Sequence, residues 1–288
     1  MSANPVPDQS IETGKTSKRG MSRNQKLLFF LTAWLICLMP FLFWWNTWFG
    51  RKLSDRELNQ YLHDTKKPRH IQQALVQVGE RITRHDATVQ QWYPDLVRLA
   101  ADPVEVVRNT DAWVMGQDTA GAGFHEVLLK MLNDPSPMVR GNAALSLVRF
   151  GDATGHPQIV ALLQPARIIS AQSGSIVDAD RPGTAIHQGG LIAKLRYGNA
   201  TAEIRSPIPG RIRSVTGTGA NVAAGAEIAV VDPSTEQVWE ALRALYLIGQ
   251  PEDLAAILPY ERDLPDISND VRQQAVETEK AIRSRESH

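Results

Sequence analysis

This chain of 288 residues is short of cysteine, of net charge and of any recognisable catalytic signature. Cys37 is its single cysteine and sits inside an apolar run, so the remainder is thiol-free, which suits an oxidising exterior without requiring one. Lys and Arg number 31 and Asp and Glu 31, with no basic stripe, so nucleic-acid binding has no electrostatic footprint. The histidines (His63, His70, His85, His125, His156, His187 and His288) show no zinc-protease spacing; His125-Glu126 lacks the second histidine on the same helical face. Gly217-Thr-Gly219 and Gly189-Gly190 are not followed by Lys-Ser/Thr at phosphate-loop spacing, and Ser170 and Ser206 lack a nucleophile-elbow context. The expectation is a non-enzyme with no catalytic residue, no metal and no cofactor.

What is present begins with an uncharged run that opens at Leu27 and closes at Phe49 and Gly50. About 20 apolar residues span a bilayer core, and Trp44, Trp45 and Trp48 gather at the far end, where aromatic rings prefer the interface. The run exceeds the apolar part of a signal peptide and lacks a small-residue cleavage site, so a retained anchor is expected over residues 26–50. Lys15, Lys18, Arg19, Arg23 and Lys26 precede it, which favours a cytoplasmic N-terminus and a soluble part outside an inner, plasma-type membrane. Residues 1–25, rich in Ser, Pro, Asn and Lys, read as a disordered tail.

Between positions 168 and 232 the chain repeats itself at an offset of 36. Gly174, Ile176, Gly183, Ile186, Gly189, Ile192, Ala193 and Leu195 return as Gly210, Ile212, Gly219, Val222, Gly225, Ile228, Ala229 and Val231, and Ser170 returns as Ser206. Short apolar strands separated by glycines cannot bury a face alone, whereas two related copies can close over each other. The join, Gly198-Asn199-Ala200-Thr201-Ala202-Glu203-Ile204 followed by Ser206-Pro207 and Gly210, resembles the central hairpin of the biotinyl/lipoyl attachment domain. That family is a flattened β-barrel, a barrel-sandwich hybrid, and its hairpin typically reads Asp-Lys-Ala-Thr-x-Glu-Ile. The resemblance places Asn199, eight residues before Pro207, where the family carries its modified lysine. A carboxamide cannot be acylated as an amine can, so Asn199 marks a vacated attachment position, with Gly198 and Ala200 shaping the turn. Lys194, the nearest lysine, falls in a strand pattern before the tip.

Around this module the periodicity changes to that of helices. An apolar helix through Leu128 stops at Asp134-Pro135, and a second through Val139-Arg140, Ala143, Ala144 and Leu147 ends near Gly151. The pair resembles a HEAT repeat, the two-helix unit of α-solenoids. A weaker copy lies 32 residues earlier, at Asp102-Pro103 and Val107-Arg108. A helix from His156 has its partner only after the β module, where Ser234-Thr-Glu-Gln237 reads as a capping box before Trp239, Ala241, Leu242 and Leu245. The expected fold is therefore α+β: a single N-terminal transmembrane helix, then a HEAT-type α-solenoid interrupted by an all-β lipoyl-like flattened barrel. Its expected parts are HEAT-like helices over 51–165, the β domain over 166–233 and further HEAT-like helices over 234–288.

Solenoids present extended binding faces, so the first functional expectation is a membrane-anchored scaffold or adaptor for protein partners in a bacterial envelope, touching lipid through its apolar run. The module also resembles that of membrane fusion proteins, which implies a periplasmic adaptor of an efflux or secretion system. Their two halves are usually separated by a long helical hairpin, and here Leu195 and Glu203 are separated by a short turn. A biotin or lipoyl carrier is disfavoured by Asn199.

Overall fold

The computed structural model describes residues 51–262 and 267–286, together with Arg23 and residues 29–32, 34–36, 38 and 39. The chain divides into two units, Met1–Lys52 and Leu53–His288. In the first, the described residues between 23 and 39 are helical, Arg51 and Lys52 are not, and Phe29, Phe30, Trp34 and Met39 are exposed. Among the described residues no helix is long and apolar enough to cross a membrane. The spanning helix expected over 26–50 is thus not borne out, and most of that stretch lies outside the described residues. Trp44, Trp45, Trp48 and, apart from Arg23, the expected tail lie outside the described residues.

The second unit opens with helices α1 (Asp55–Leu62) and α2 (Pro68–Thr83). Ser54 and Glu57 form a reciprocal capping box at the start of α1, and a proline in its first turn starts α2 where a missing N–H costs nothing. Then come a 3-10 turn, Ala87–Trp92, and helices α3 (Tyr93–Leu99), α4 (Glu105–Met115), α5 (Phe124–Met131), α6 (Pro137–Arg149) and α7 (His156–Leu162). Helix α6 ends in a Schellman motif. Gly151 adopts φ +75°, Asp152 N–H reaches Leu147 O at 3.0 Å, and Gly151 N–H reaches Val148 O at 3.0 Å. After the β module the helices resume as α8 (Thr235–Ile248), α9 (Leu254–Ile257) and α10 (Asn269–Glu286).

The packing is that of stacked pairs. Helices α2, α4, α6, α8 and α10 lie each against the next, and α1, α3, α5, α7 and α9 pair with them in turn. One apolar core runs through all of them, from Leu58 and Ile71 through Leu96, Val107, Leu128 and Leu147 to Leu242 and Ala275. Polar side chains tie neighbouring helices at backbone carbonyls: Ser146 Oγ donates to Ala112 O at 2.8 Å and Thr278 Oγ1 to Leu242 O at 3.0 Å.

Between α7 and α8 stand eight strands: β1 (Ala166–Ile169), β2 (Gly174–Ala179), β3 (Ala185–Ile186), β4 (Leu191–Tyr197), β5 (Ala200–Arg205), β6 (Gly210–Val215), β7 (Asn221–Val222) and β8 (Glu227–Pro233). They form two antiparallel sheets, ordered β1-β8-β6-β3 and β5-β4-β2-β7. Adding 36 converts β2, β3 and β4 into β6, β7 and β8 and moves β1 into β5, which exchanges one sheet for the other. The two copies therefore interlock, since each lends its edge strands to the sheet whose centre belongs to the other. Hydrogen bonds repeat the symmetry. Gly183 N–H reaches Ile212 O and Gly219 N–H reaches Ile176 O, both at 2.7 Å, while the buried Ser170 and Ser206 hydroxyls each donate two residues onward, to Gln172 O and Ile208 O, both at 2.6 Å. A separate core holds Ile176, Ile192, Leu195, Ile212, Ile228 and Val231.

Strands β1 and β8 pair directly, Ala166 opposite Val231, so the chain leaves and rejoins the helices at one place. That is why α7 still meets the helices beyond the module: Gln237 Nε2, on α8, donates to Leu162 O at 2.8 Å, and Tyr260 Oη, in the turn after α9, donates to Leu163 O at 2.6 Å. The capping box expected at Ser234 forms only in half. Ser234 Oγ accepts from Gln237 N–H at 3.3 Å, but the Gln237 amide is drawn to the otherwise unpaired carbonyl end of α7, and Ser234 N–H goes to Pro209 O at 3.1 Å.

Candidate functional site

Two surfaces stand out in the geometry. The first is the solenoid. At its second and third pairs Arg108, on α4, grips Asp134 with two parallel hydrogen bonds (Nε to Oδ2 2.6 Å, Nη2 to Oδ1 2.9 Å) and donates to Asp102 O at 2.8 Å. Burial pushes the Asp134 carboxyl up, but the Arg108 guanidinium and Ser136 N–H outweigh it and hold that carboxyl below the ordinary range. Arg140, 32 positions after Arg108, reaches Asp134 O at 2.6 Å in the same way that Arg108 reaches Asp102 O. The Asp-Pro and Val-Arg signals of the sequence are thus one device, in which the arginine closes its own inter-helix turn and locks the next. Trp113 on α4 stays 40 % exposed and lies over Gly79 of α2, where a Cβ would come within 3.0 Å of its ring. Trp92 is wholly buried and donates to Asn59 Oδ1 at 2.5 Å, and Trp239 is half-buried beneath Arg243.

The second surface is the hairpin between β4 and β5. Tyr197 and Ala200 close it as a register pair, leaving Gly198 and Asn199 as a two-residue turn. Positive φ falls on Gly198 alone, at +54°, the arrangement of a II′ turn; Asn199 does not share it. Gly198, Asn199 and Ala200 are all exposed. Lys194 lies within β4, opposite Glu203, with its Nζ 3.7 Å from Asp178, and does not occupy the tip. At the other end of β4, Gln188 donates to Glu105 at the start of α4, which also accepts from Ser136, and Met138 of α6 packs against the module core. A strand of seven residues rising about 3.3 Å each carries the turn roughly 20 Å beyond that contact.

A cleft of ≈ 480 Å³ opens beside this hairpin, lined by Ser173, Gly174, Ser175, Arg196, Tyr197, Gly198, Asn221 and Val222. None of its polar side chains was singled out by the sequence. A lone arginine in a strand carries no motif, and its only signal was standing three places before Asn199.

Elsewhere titratable groups pair within the fold. His70, His125 and His156 each meet a single carboxylate, on Asp64 at 2.9 Å, Asp152 at 2.8 Å and Asp253 at 2.7 Å. Among the described residues no three metal-ligating side chains converge. Burial and the Asp118 carboxylate push the Tyr93 hydroxyl well above its ordinary range, and burial with nearby Asp232 raises Tyr260 to about 12. Asp111 on α4 is wholly buried, and neither carboxylate oxygen has a hydrogen-bond partner among the described residues.

With this geometry in view, the comparisons with known proteins are narrow. A model of the HEAT repeat family matches residues 126–153, spanning α5, the turn at Asp134-Pro135 and α6. This stretch is HEAT-like. Among solved structures, the product-bound ectoine utilization protein EutE (DoeB) from Ruegeria pomeroyi is 24% identical over 24% of this chain and 22% of that one, with a TM-score of 0.22. A single-chain, multi-domain long-chain acyl-CoA carboxylase is 15% identical over 48% of this chain and 14% of that one, with a TM-score of 0.24. The chain thus covers under a quarter of either structure, and at such TM-scores neither bears on its fold. No curated protein matches it.

Proposed function

We propose that this chain is a membrane-anchored, non-catalytic scaffold that binds other proteins through a HEAT-type solenoid and an unmodified lipoyl-like module. The observation that carries the reading is the run of stacked helix pairs around the HEAT-like stretch at 126–153, because such stacks present an extended face to protein partners. The lipoyl-like reading is supported by two sheets that exchange under a 36-residue offset, joined by a hairpin with the family's sequence pattern. In that reading Asn199 stands at the attachment position, and the absence of an amine there argues for a module that binds rather than carries. The uncharged run of residues 27–49 is the anchor, with the N-terminus cytoplasmic and the solenoid in the periplasm or outside the cell.

A periplasmic adaptor of the membrane fusion type is the second reading. The two-residue turn at Gly198-Asn199 leaves no place for the long helical hairpin by which such adaptors reach an outer-membrane duct, so it ranks below the scaffold. Crosslinking in native membranes, followed by pulldown and intact-mass measurement of the full chain, separates these readings. The scaffold predicts unmodified mass, membrane fractionation and recovery with envelope proteins. Co-recovery of an exporter and a duct would move the assignment to the adaptor, and a biotinyl or lipoyl adduct would sink both.

A further inference from the structure

The cleft beside the β4–β5 hairpin differs from the rest of the module in its electrostatics. On the module's strands Arg167 pairs with Glu227, Lys194 with Asp178, Arg205 with Glu203 and Arg213 with Asp232, while Arg211 donates to Gly183 O. Arg196 has no ion pair or hydrogen bond among the described residues, and the same holds for the side chains of Ser175, Tyr197 and Asn221 around it. Strand register sets three of these in one row across the sheet: Asn221 opposite Ser175, and Ser175 opposite Arg196. Partners in register share a face, so their polar ends converge on one side. The lining contains one cation, several hydroxyl and amide donors, and no carboxylate. Gly198 puts no side chain beside the opening.

The internal symmetry explains why the cleft stands at this end. Adding 36 to Ser173, Gly174, Arg196, Tyr197 and Gly198 gives Pro209, Gly210, Asp232, Pro233 and Ser234. At those positions Asp232 neutralises Arg213, Ser234 N–H bonds Pro209 O, and the chain turns into α8. The root of the module is thus closed by its own chain and its own charge pair, while the hairpin end keeps an uncompensated guanidinium over an open hollow.

We propose that this cleft is an oxyanion site, taking a carboxylate or phosphate group on Arg196 with Ser175 and Asn221 as further donors. A planar guanidinium presents paired N–H groups matched to such anions, which an ammonium does not reproduce. The site does not depend on the scaffold reading and extends it by giving the tip a ligand chemistry.

The test is equilibrium dialysis of the full chain in detergent, at fixed ionic strength in chloride, against radiolabelled inorganic phosphate and, separately, radiolabelled acetate. Saturable one-to-one binding of either anion is expected, weakened at least tenfold in Arg196→Ala and in Asn221→Ala, and only partly restored in Arg196→Lys. Binding of phosphate alone identifies a phosphoryl ligand, and binding of acetate identifies a carboxylate. Circular dichroism of each variant confirms an unchanged fold, as expected for exposed positions. Non-saturable uptake of both anions, or binding that survives Arg196→Ala, overturns the proposal.

Discussion

Asp111 sits on α4 at the place where the next helix pair has Ala143, 32 residues on, and where α8 has Ala241. Its neighbours in the stack show that a methyl group suffices there, yet it buries a carboxyl whose oxygens accept no hydrogen bond among the described residues. Burial therefore pushes this carboxyl well above its ordinary 3.8, although Arg98 pulls the other way. In acid the group is neutral in both folded and unfolded chain. As pH rises past about 4, the unfolded chain ionises while the folded one stays neutral, so stability is lost until the native carboxyl also titrates. Asp111→Ala is expected to stabilise the solenoid at pH 7 by about 1–3 kcal/mol, the usual cost of an uncompensated buried polar group. The gain should shrink toward pH 4 in urea unfolding followed by circular dichroism. An equal gain at both pH values would mean that ionisation plays no part. This acid was invisible in the sequence because it falls on a helical position that an aspartate fills as readily on an exposed face; only the stacking of α4 between α2 and α6 buries it.

At the scale of elements, the ion pair of Arg108 and Asp134 welds α4 to the turn before α6, with both side chains largely shielded from water. Removing one member of such a pair strands the other, which typically costs about 3–5 kcal/mol. Arg108→Ala is expected to lower stability by roughly that amount, whereas Arg84→Ala, which leaves only an exposed pair with Glu80, should cost under about 1 kcal/mol. Chemical denaturation of the two variants side by side checks the contrast, and similar losses in both would remove Arg108 as a weld. Since Asp134 titrates below the ordinary carboxylate range, its share of stability is present at neutral pH and disappears as pH falls through that lowered value. The Asp-Pro and Val-Arg signals that located this element were legible because each is local: a stop, a cap and a basic residue one helical turn in. Gln237 was not legible in the same way. Its capping pattern with Ser234 is also local, but the free carbonyl end of α7, 75 residues earlier in the chain, competes for its amide and wins.

For the molecule as a whole, the β module behaves as a graft. It joins the helices through strands β1 and β8, which pair with each other, and its further contacts with them include Gln188 with Glu105, Met138 on the module core, Pro209 O with Ser234 N–H, and Asp232 beside Tyr260. Contacts from Gln237 on α8 and from Tyr260 after α9 to the end of α7 bridge the insertion. Replacing residues 166–233 by a short Gly-Ser linker is therefore expected to leave a folded helical stack, because residues opposite each other in a strand pair lie only about 5 Å apart. Helical circular dichroism with a single cooperative melt would bear this out. Loss of cooperativity would show that the module is part of the solenoid's core.

The offset of 36 residues and the change from strand to helix periodicity were determined by the sequence alone, because glycines at turns and apolar residues at core positions are needed wherever the backbone goes. Which copy lends its edge strands to which sheet was decided only in three dimensions, since pairing within a copy and pairing between copies satisfy the same pattern of residues. The same holds for Arg196: side-chain type supplied the charge, but the lack of an ion-pair partner for it among the described residues arises from strand register and from the closure of the opposite end by the chain itself.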